Sequence, residues 1–505
     1  MSTRRRNRRR RNYFIDSDSD SDSDSGHRHA ADRISDLPDS ILVHILSLLP
    51  IEDAIKTDVL SKRWQFLWTH VPSLLFRHRR PYRNGGDIDE TSDDINEVSD
   101  FVAFVDKTLV LCSGSEVKKF GVCFGFEWEF TSRVNSWTRF AVKNEVEELH
   151  LELPVPVIHW DYGNSYLLPQ LMYTNSRFRE LNFSYCRVMP KGAVRWNSLK
   201  KLSIGYAKLS DDVIRRILEG CPVLEILEFH HYEGFSHLHI GNASLKKLIL
   251  REFWGDEDEG DGEDESRLEI WAPYLQSLEI LGCLGRNFRL MNVSSLVDVT
   301  LNCHIVTCED DSDDVYERIQ NVFRGFLVSL VHVKSLTLGI WALQVLSIME
   351  EKGLSCPLLK CERLTLDTLL DKSEVPGIAC MFESSPNLET LDINLSSSCV
   401  SECFWEIRDE LFNFDEEHYW TSRKRTFRCL TLHLKKVTFT RLGGYSYDSN
   451  FPLVQFLLKN ARVLQKMVIN MAGETSKPPE EFFQAAQKLL SFPRCSPDAV
   501  VMFYK

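Results

Sequence analysis

The 505-residue sequence predicts a multidomain α/β protein: a three-helix module, then an irregular solenoid of parallel strands and helices, then a C-terminal α/β segment at its end. Three observations predict it. An apolar stripe bounded by two prolines runs from Leu37 to Pro50. A triplet of the form apolar-x-x-apolar-x-apolar recurs through most of the chain. Beyond about Trp420 the pattern becomes an ordered alternation of strand, helix, strand, helix and strand.

Composition sets the class. Apolar residues make up 43% and charged residues 26%, the balance of a soluble globular chain long enough for roughly two to four domains. The net charge of -13 argues against nonspecific binding of nucleic acid or anionic membrane by the body of the protein. Fourteen cysteines are scattered without a CxxC pair, which fits a reducing compartment. The longest apolar tract, Gly325 to Met349, is broken by His332, Lys334 and Gln344 and reads as a helix end, a buried strand and the next helix, so no membrane span is expected.

The first 31 residues form a polar tail. Seven arginines between Arg4 and Arg11, with no apolar core beside them, do not make a secretory signal. They fit a nuclear address, with an arginine-rich RNA contact and a solvated arm as the alternatives. The expected location is the nucleus, the cytoplasm or both. Asp16 to Ser25 alternates aspartate and serine, a substrate pattern for acidophilic kinases, and each phosphate would add about -1.5 to -2 charges beside the arginines. The N-x-S sequons at Asn182, Asn242, Asn292 and Asn394 carry no weight without a signal peptide.

In the module, residues 32–77, apolar residues fall in two rows down one helix: Leu37, Pro38, Ile41, Leu42, Ile45, Leu46 and Leu49. Pro38 suits a first helical turn and Pro50 stops the helix. A second helix is predicted from Ile51, where Glu52 and Asp53 suit a helix start. A third is predicted from Leu60, Trp64, Leu67, Trp68 and Val71 at helical spacing. So short a segment with two tryptophans cannot cover its own apolar surface and needs a partner.

Residues Asp53 to Trp68, including Leu60-Ser61-Lys62-Arg63-Trp64, with Leu37-Pro38 upstream, closely resemble the plant form of the F-box over about 45 residues. The resemblance implies docking on a Skp1-like adaptor and, through it, on a cullin-RING ubiquitin ligase. Carried over by motif position, the contacts would be Leu37, Pro38, Ile41, Leu42, Ile45, Leu46, Leu49, Val59, Leu60, Trp64 and Leu67. An ordinary three-helix cap on a larger domain is the alternative reading.

Residues 78–98 read as a linker, with Asn84-Gly85-Gly86 and six acidic residues from Asp87 to Glu97. Phe101, Val102, Phe104, Val105, Leu109 and Val110 then predict a helical face, and a buried strand is predicted from Phe120. The repeats of residues 99–420 follow. Twelve triplets run from Val146/Leu149/Leu151 to Leu464/Met467/Ile469, including Leu224/Leu227/Phe229, Leu388/Leu391/Ile393 and Phe427/Leu430/Leu432. Their starts are 21 to 39 residues apart, with a mean of 318/11, or about 29, which places them among leucine-rich repeats. A strand that cannot close a core alone must stack on its neighbours, so a curved solenoid is expected, with helices such as Asp211 to Leu218 on its convex side. Acidic runs at Asp256 to Glu265 and Glu309 to Asp314 are expected as exposed loops.

Residues 421–505 resemble the FBD domain found at the ends of many plant F-box proteins, from Cys429-Leu-Thr-Leu-His-Leu through Gly443-Gly444 to Leu453-Val-Gln-Phe-Leu-Leu and Lys488-Leu-Leu-Ser-Phe-Pro. The acidic residue usual after those glycines is replaced by Asn450-Phe451-Pro452. A segment of this kind is expected to cap the open end of the solenoid and remove an exposed edge.

No catalytic constellation emerges. Gly444-Tyr445-Ser446-Tyr447-Asp448 lacks the last glycine of a nucleophile elbow. His230, His231, His237 and His239 are the densest histidine group, and two or three of them could meet a metal, but no Cys or carboxylate lies at ligand spacing beside the whole set, and histidines flanking a repeat strand are commonly surface residues. Cys303/Cys308 and Cys399/Cys403 lack second pairs, and there is no GxGxxG or Walker loop. No catalytic residue, cofactor or metal is expected. The resemblances imply a non-enzymatic adaptor that binds Skp1 at one end and a protein substrate on the concave repeat face, where proximity replaces chemistry. The alternative is a scaffold outside ubiquitylation that brings RNA or chromatin partners.

Overall fold

A computed structural model describes residues 34, 37–78, 92–112, 114–155, 162–253, 268–283, 288–304, 313–395, 419–420, 426–442, 451–471 and 479–504. The arginine run, the serine-aspartate tract, most of the three acidic stretches, Cys308, Cys399, Cys403 and the segment 443–450 lie outside the described residues.

Among the described residues one sheet of fifteen parallel strands organises the fold, each strand pairing with the next repeat's strand. The triplets set its register. Leu149, Leu181, Leu202, Leu227, Leu248, Leu278, Val299, Leu336, Leu364 and Leu391 stand opposite one another in a single row across successive strands. All are buried. Because side chains alternate along a strand, a slip of one residue would turn this whole row to solvent, and that cost pins the register.

Crossovers between parallel strands close the other side of the core. Several crossovers are helices: Thr131–Lys143, Asp211–Glu219, Asp313–Ser329, Ile340–Glu351 and Val375–Ser384. Ser210 caps the second of these by accepting the Val213 N–H at 3.3 Å. Spacings of 21 residues leave no room for a helix. From Leu224 to Leu296 the back layer consists instead of short strands, and His237–His239, Leu268–Trp271 and Phe288–Met291 form a second parallel sheet. The tract from Gly325 to Met349 is a helix end, the strand Ser335–Leu338 and the next helix, and among the described residues no helix is long and apolar enough to cross a membrane.

Helices Ile340–Glu351 and Val375–Ser384 approach closely at Gly377. Its N–H donates to Ser347 Oγ at 2.7 Å, and a Cβ there would lie 2.1 Å from the Leu343 carbonyl oxygen. Only glycine fits.

Three expectations change. The triplet Phe427/Leu430/Leu432 is not a strand: Arg428–Leu432 is a short helix with Leu432 exposed, and the repeat strand is Lys436–Leu442, carrying Leu434/Val437/Phe439. Phe427, Leu430 and Leu434 fit a helical face as well as the repeat triplet does, so the pattern alone chose the wrong seven-residue frame. The sheet also begins before the predicted repeats. Val71/Leu74/Phe76 and Val117/Phe120/Val122 are further triplets, and the strand Ser73–Arg77 pairs with Lys119–Cys123. The module's last residues are thus the first strand of the solenoid, and residues 78–98 fall inside a crossover rather than between independent units. Finally, the C-terminal segment extends the sheet by Lys436–Leu442, Lys466–Met471 and Val500–Tyr504, and the last of these stands at the end of the strand order. The expected removal of the edge does not occur among the described residues; the edge moves outward by three strands.

Candidate functional site

Two surfaces carry chemistry. The first is the N-terminal module. Pro38 precedes the helix Asp39–Leu46, and Pro50 precedes the helix Ile51–Lys56. The expected third helix is absent; two 3-10 turns, Thr57–Val59 and Leu67–His70, take its place. The break is at Phe66, which sits in the left-handed region at φ 62, its N–H donating to Asp58 Oδ1 at 2.8 Å. A helix cannot run through that conformation. Arg63 ties the turn to the first helix through Asp39 Oδ1, at 2.8 Å from Nη2, and through the Leu37 carbonyl.

This geometry divides the sequence-predicted contact residues. Leu42, Leu46, Trp64 and Leu67 are buried, with Ile51, Ala54, Trp68 and Val71, at the N-terminal end of the one hydrophobic core that continues into the sheet. Leu37 is half-buried. Pro38, Ile41, Ile45, Leu49, Val59 and Leu60 are exposed, Val59 at 88% and Leu60 at 62%. Leu48 and Phe66 join them at 74% and 50%, and neither was singled out from sequence. Leu48 lies beyond the regular helix, where the stripe no longer predicts facing, and Phe66 is turned outward by its left-handed backbone. Such a concentration of bare aliphatic side chains on one short module marks a protein-docking site.

The second surface is the open face of the sheet, opposite the leucine row. In its N-terminal half the charges cancel across strands. Lys119 meets Glu148 at 2.8 Å, Lys201 meets Glu180 at 2.8 Å, Lys247 meets Glu279 at 2.6 Å and Arg251 meets Glu228 at 2.9 Å. At the ends of these strands Tyr185, Tyr206 and His231 stack, with ring centroids 3.9 and 4.1 Å apart. The His230 ring covers Gly205, where a Cβ would clash.

In the C-terminal half the face is rich in hydroxyls and amides. Asn302 reaches past Gly339 to donate to Asp367 Oδ2 at 3.1 Å, and Asn394 donates to Asp367 Oδ1 at 2.9 Å. Arg363 and Lys436 flank Thr390, with Lys466 next in the same row.

The four histidines do not converge. His237 bonds Asp211 at 3.0 Å, His239 stacks on Trp271 at 3.9 Å, and His231 belongs to the aromatic stack. Among the described residues no group of three His, Cys, Asp or Glu side chains is placed to hold a metal ion. A small pocket is lined by Phe288, Leu301, Cys303, Phe323, Phe326 and Trp341, and burial pushes the Cys303 thiol up to about 12, away from the reactive thiolate.

Three models of known protein families match parts of the chain. The F-box domain model matches residues 34–76, the model described as FBD matches 424–469, and the model for the LRR repeats of FBD-associated F-box protein At5g56370 matches 134–300. Putative F-box/LRR-repeat protein At3g18150 of Arabidopsis thaliana is 30% identical over 469 residues, covering 88% of this chain and 87% of its own length. F-box/LRR-repeat protein At5g02910 of the same plant is 30% identical over 87% of this chain and 88% of its own. Putative F-box/LRR-repeat protein At5g02930 is 28% identical over 91% of each chain.

Proposed function

Because the chain belongs to the F-box/LRR-repeat family, we propose that it is the substrate-recognition subunit of a Skp1-cullin-F-box ubiquitin ligase. The observation that carries this reading is the bare apolar face of the module: Ile41, Ile45, Leu48, Leu49, Val59, Leu60 and Phe66. In this reading a Skp1-like adaptor covers that face, and Leu42, Leu46, Trp64 and Leu67 hold the helices that present it. The protein substrate lies on the open face of the sheet. The module's final strand is the first strand of that sheet, so the adaptor end and the substrate face are joined by hydrogen-bonded backbone rather than by a tether. A rigid connection of this kind would fix the distance between substrate and ligase, and holding reactants in place is the contribution a non-catalytic subunit makes. We further infer action in the nucleus, the cytoplasm or both, on the strength of the arginine-rich tail.

The test is co-purification of a cullin with the full chain from plant cells. Recovery with the wild type and loss with Ile41→Asp/Leu60→Asp supports the ligase reading. Recovery of RNA or chromatin partners without cullin would replace it with the scaffold reading. Loss of a reporter from the nucleus when Arg4 to Arg11 are changed to Ala would support the nuclear assignment, and no change would remove it.

A further inference from the structure

The open face carries a second asymmetry beyond its composition. Along its N-terminal half the lysines are neutralised by carboxylates of neighbouring strands, as are those of the rim, where Lys334 meets Glu362 at 3.6 Å and Lys435 meets Glu389 at 2.9 Å. In the same row as Lys119, Lys201 and Lys247, the C-terminal half carries Arg363, Lys436 and Lys466, all exposed. No carboxylate of the described residues lies within ion-pair distance of any of the three. The chain's net charge is -13, so an uncancelled basic row runs against its overall charge.

Parallel register fixes the spacing. Arg363 stands opposite Thr390, Thr390 opposite Lys436, and Lys436 opposite Lys466. At about 4.8 Å per strand, the three steps span roughly 14 Å. An extended peptide laid across the strands brings alternate side chains to one face about every 6.7 Å, so residues i, i+2 and i+4 span about 13 Å. Thr390 stands within the row and Thr365 on the adjoining one, with hydroxyls that can donate to carboxylates. Asp392, on the adjoining row, discourages an acidic side chain from shifting off the basic row.

We propose that Arg363, Lys436 and Lys466 form an anion-reading row that takes an extended segment of a protein partner bearing aspartate or glutamate at alternate positions. This rests on the reading of the open face as the substrate surface, but not on the adaptor. The assay uses the full chain alone, so failure of adaptor binding and failure of this row are separate results.

The probe is a fluorescein-labelled peptide with aspartates at alternate positions separated by serine, followed by fluorescence anisotropy. Its asparagine counterpart and a phosphoserine counterpart with asparagine in place of aspartate serve as comparisons. The aspartate peptide should bind and the asparagine peptide should not. Arg363→Gln/Lys436→Gln/Lys466→Gln should weaken binding about tenfold and flatten its dependence on salt, as expected for three exposed charge contacts. Lys436→Arg/Lys466→Arg should retain binding, as should Lys119→Gln in the neutralised half. Equal binding of the aspartate and asparagine peptides, or wild-type affinity in the triple Gln variant, overturns the proposal. Binding of only the phosphoserine peptide also overturns it, in favour of a phosphorylated partner.

Discussion

Glu374 is the most exacting test of the packing described above. It is fully buried immediately before the helix Val375–Ser384. Thr368 Oγ1 and the Leu369 N–H both donate to Oε2, the latter at 3.2 Å, while Oε1 has no hydrogen-bond partner among the described residues. Burial pushes this carboxyl up to about 8 from its ordinary 4.5, the two hydrogen bonds offsetting only part of the cost. The folded protein therefore holds a proton there at neutral pH that the unfolded chain has released. The folded-state pKa is the raised one, so the stabilisation is complete below about pH 4.5 and is lost as pH rises through about 8. At about 1.36 kcal/mol per pH unit, the loss between about pH 5.5 and 7.5 comes to about 2 to 3 kcal/mol. Glu374→Gln has the same shape and no titration. Native-state hydrogen exchange of the amides in Val375–Ser384, corrected for intrinsic rates, measures the local opening free energy. The wild-type value should fall by about 2 to 3 kcal/mol more than the variant's over that window. Parallel pH dependence in the two proteins would refute a buried, protonated Glu374.

Other substitutions separate folding from docking. Leu42→Ala should cost about 2 to 5 kcal/mol in stability by opening a cavity in the module core, read from the urea midpoint of that region. Val59→Asp/Leu60→Asp, at exposed positions, should shift stability by no more than about 0.5 kcal/mol in the same titration. Asp58→Ala removes the acceptor of the Phe66 N–H and should cost about 1 kcal/mol in thermal or urea unfolding. Gly377→Ala drives a methyl group against the Leu343 carbonyl and should destabilise by about 1 to 3 kcal/mol, with exchange rising in both facing helices.

The solenoid was legible because its signal is redundant. Leu227 and Leu391 each belong to a triplet, and many triplets in one register outvote any local ambiguity. The misread frame at Phe427 shows the limit of that signal. Where one unit supports helix and strand equally, only the neighbours decide, and the spacing from Leu388 to Leu434 was too long for them to do so. Periodicity also misled at the third helix of the module. Leu60, Trp64, Leu67 and Trp68 have helical spacing, yet one left-handed residue, Phe66, breaks the helix and turns its own ring to solvent. Nothing local in the sequence marks phenylalanine for that conformation. The docking face was read as a stripe, but a stripe does not say which of its two rows is core; Leu42 and Ile41 are adjacent in sequence and opposite in role. The basic row was illegible for a different reason. Arg363, Lys436 and Lys466 are far apart in sequence, and only the strand register brings them into line.

The central claim is that the exposed aliphatic face of the module is a docking surface for a Skp1-like adaptor. Isothermal titration of that adaptor into the full chain, alongside Val59→Asp/Leu60→Asp with its unfolding midpoint measured in parallel, tests it most directly. The wild type should bind saturably, and a variant that remains folded should lose at least about thirtyfold, the weakening expected of a hot spot. No binding by the wild type, or equal affinity in the folded variant, would contradict it.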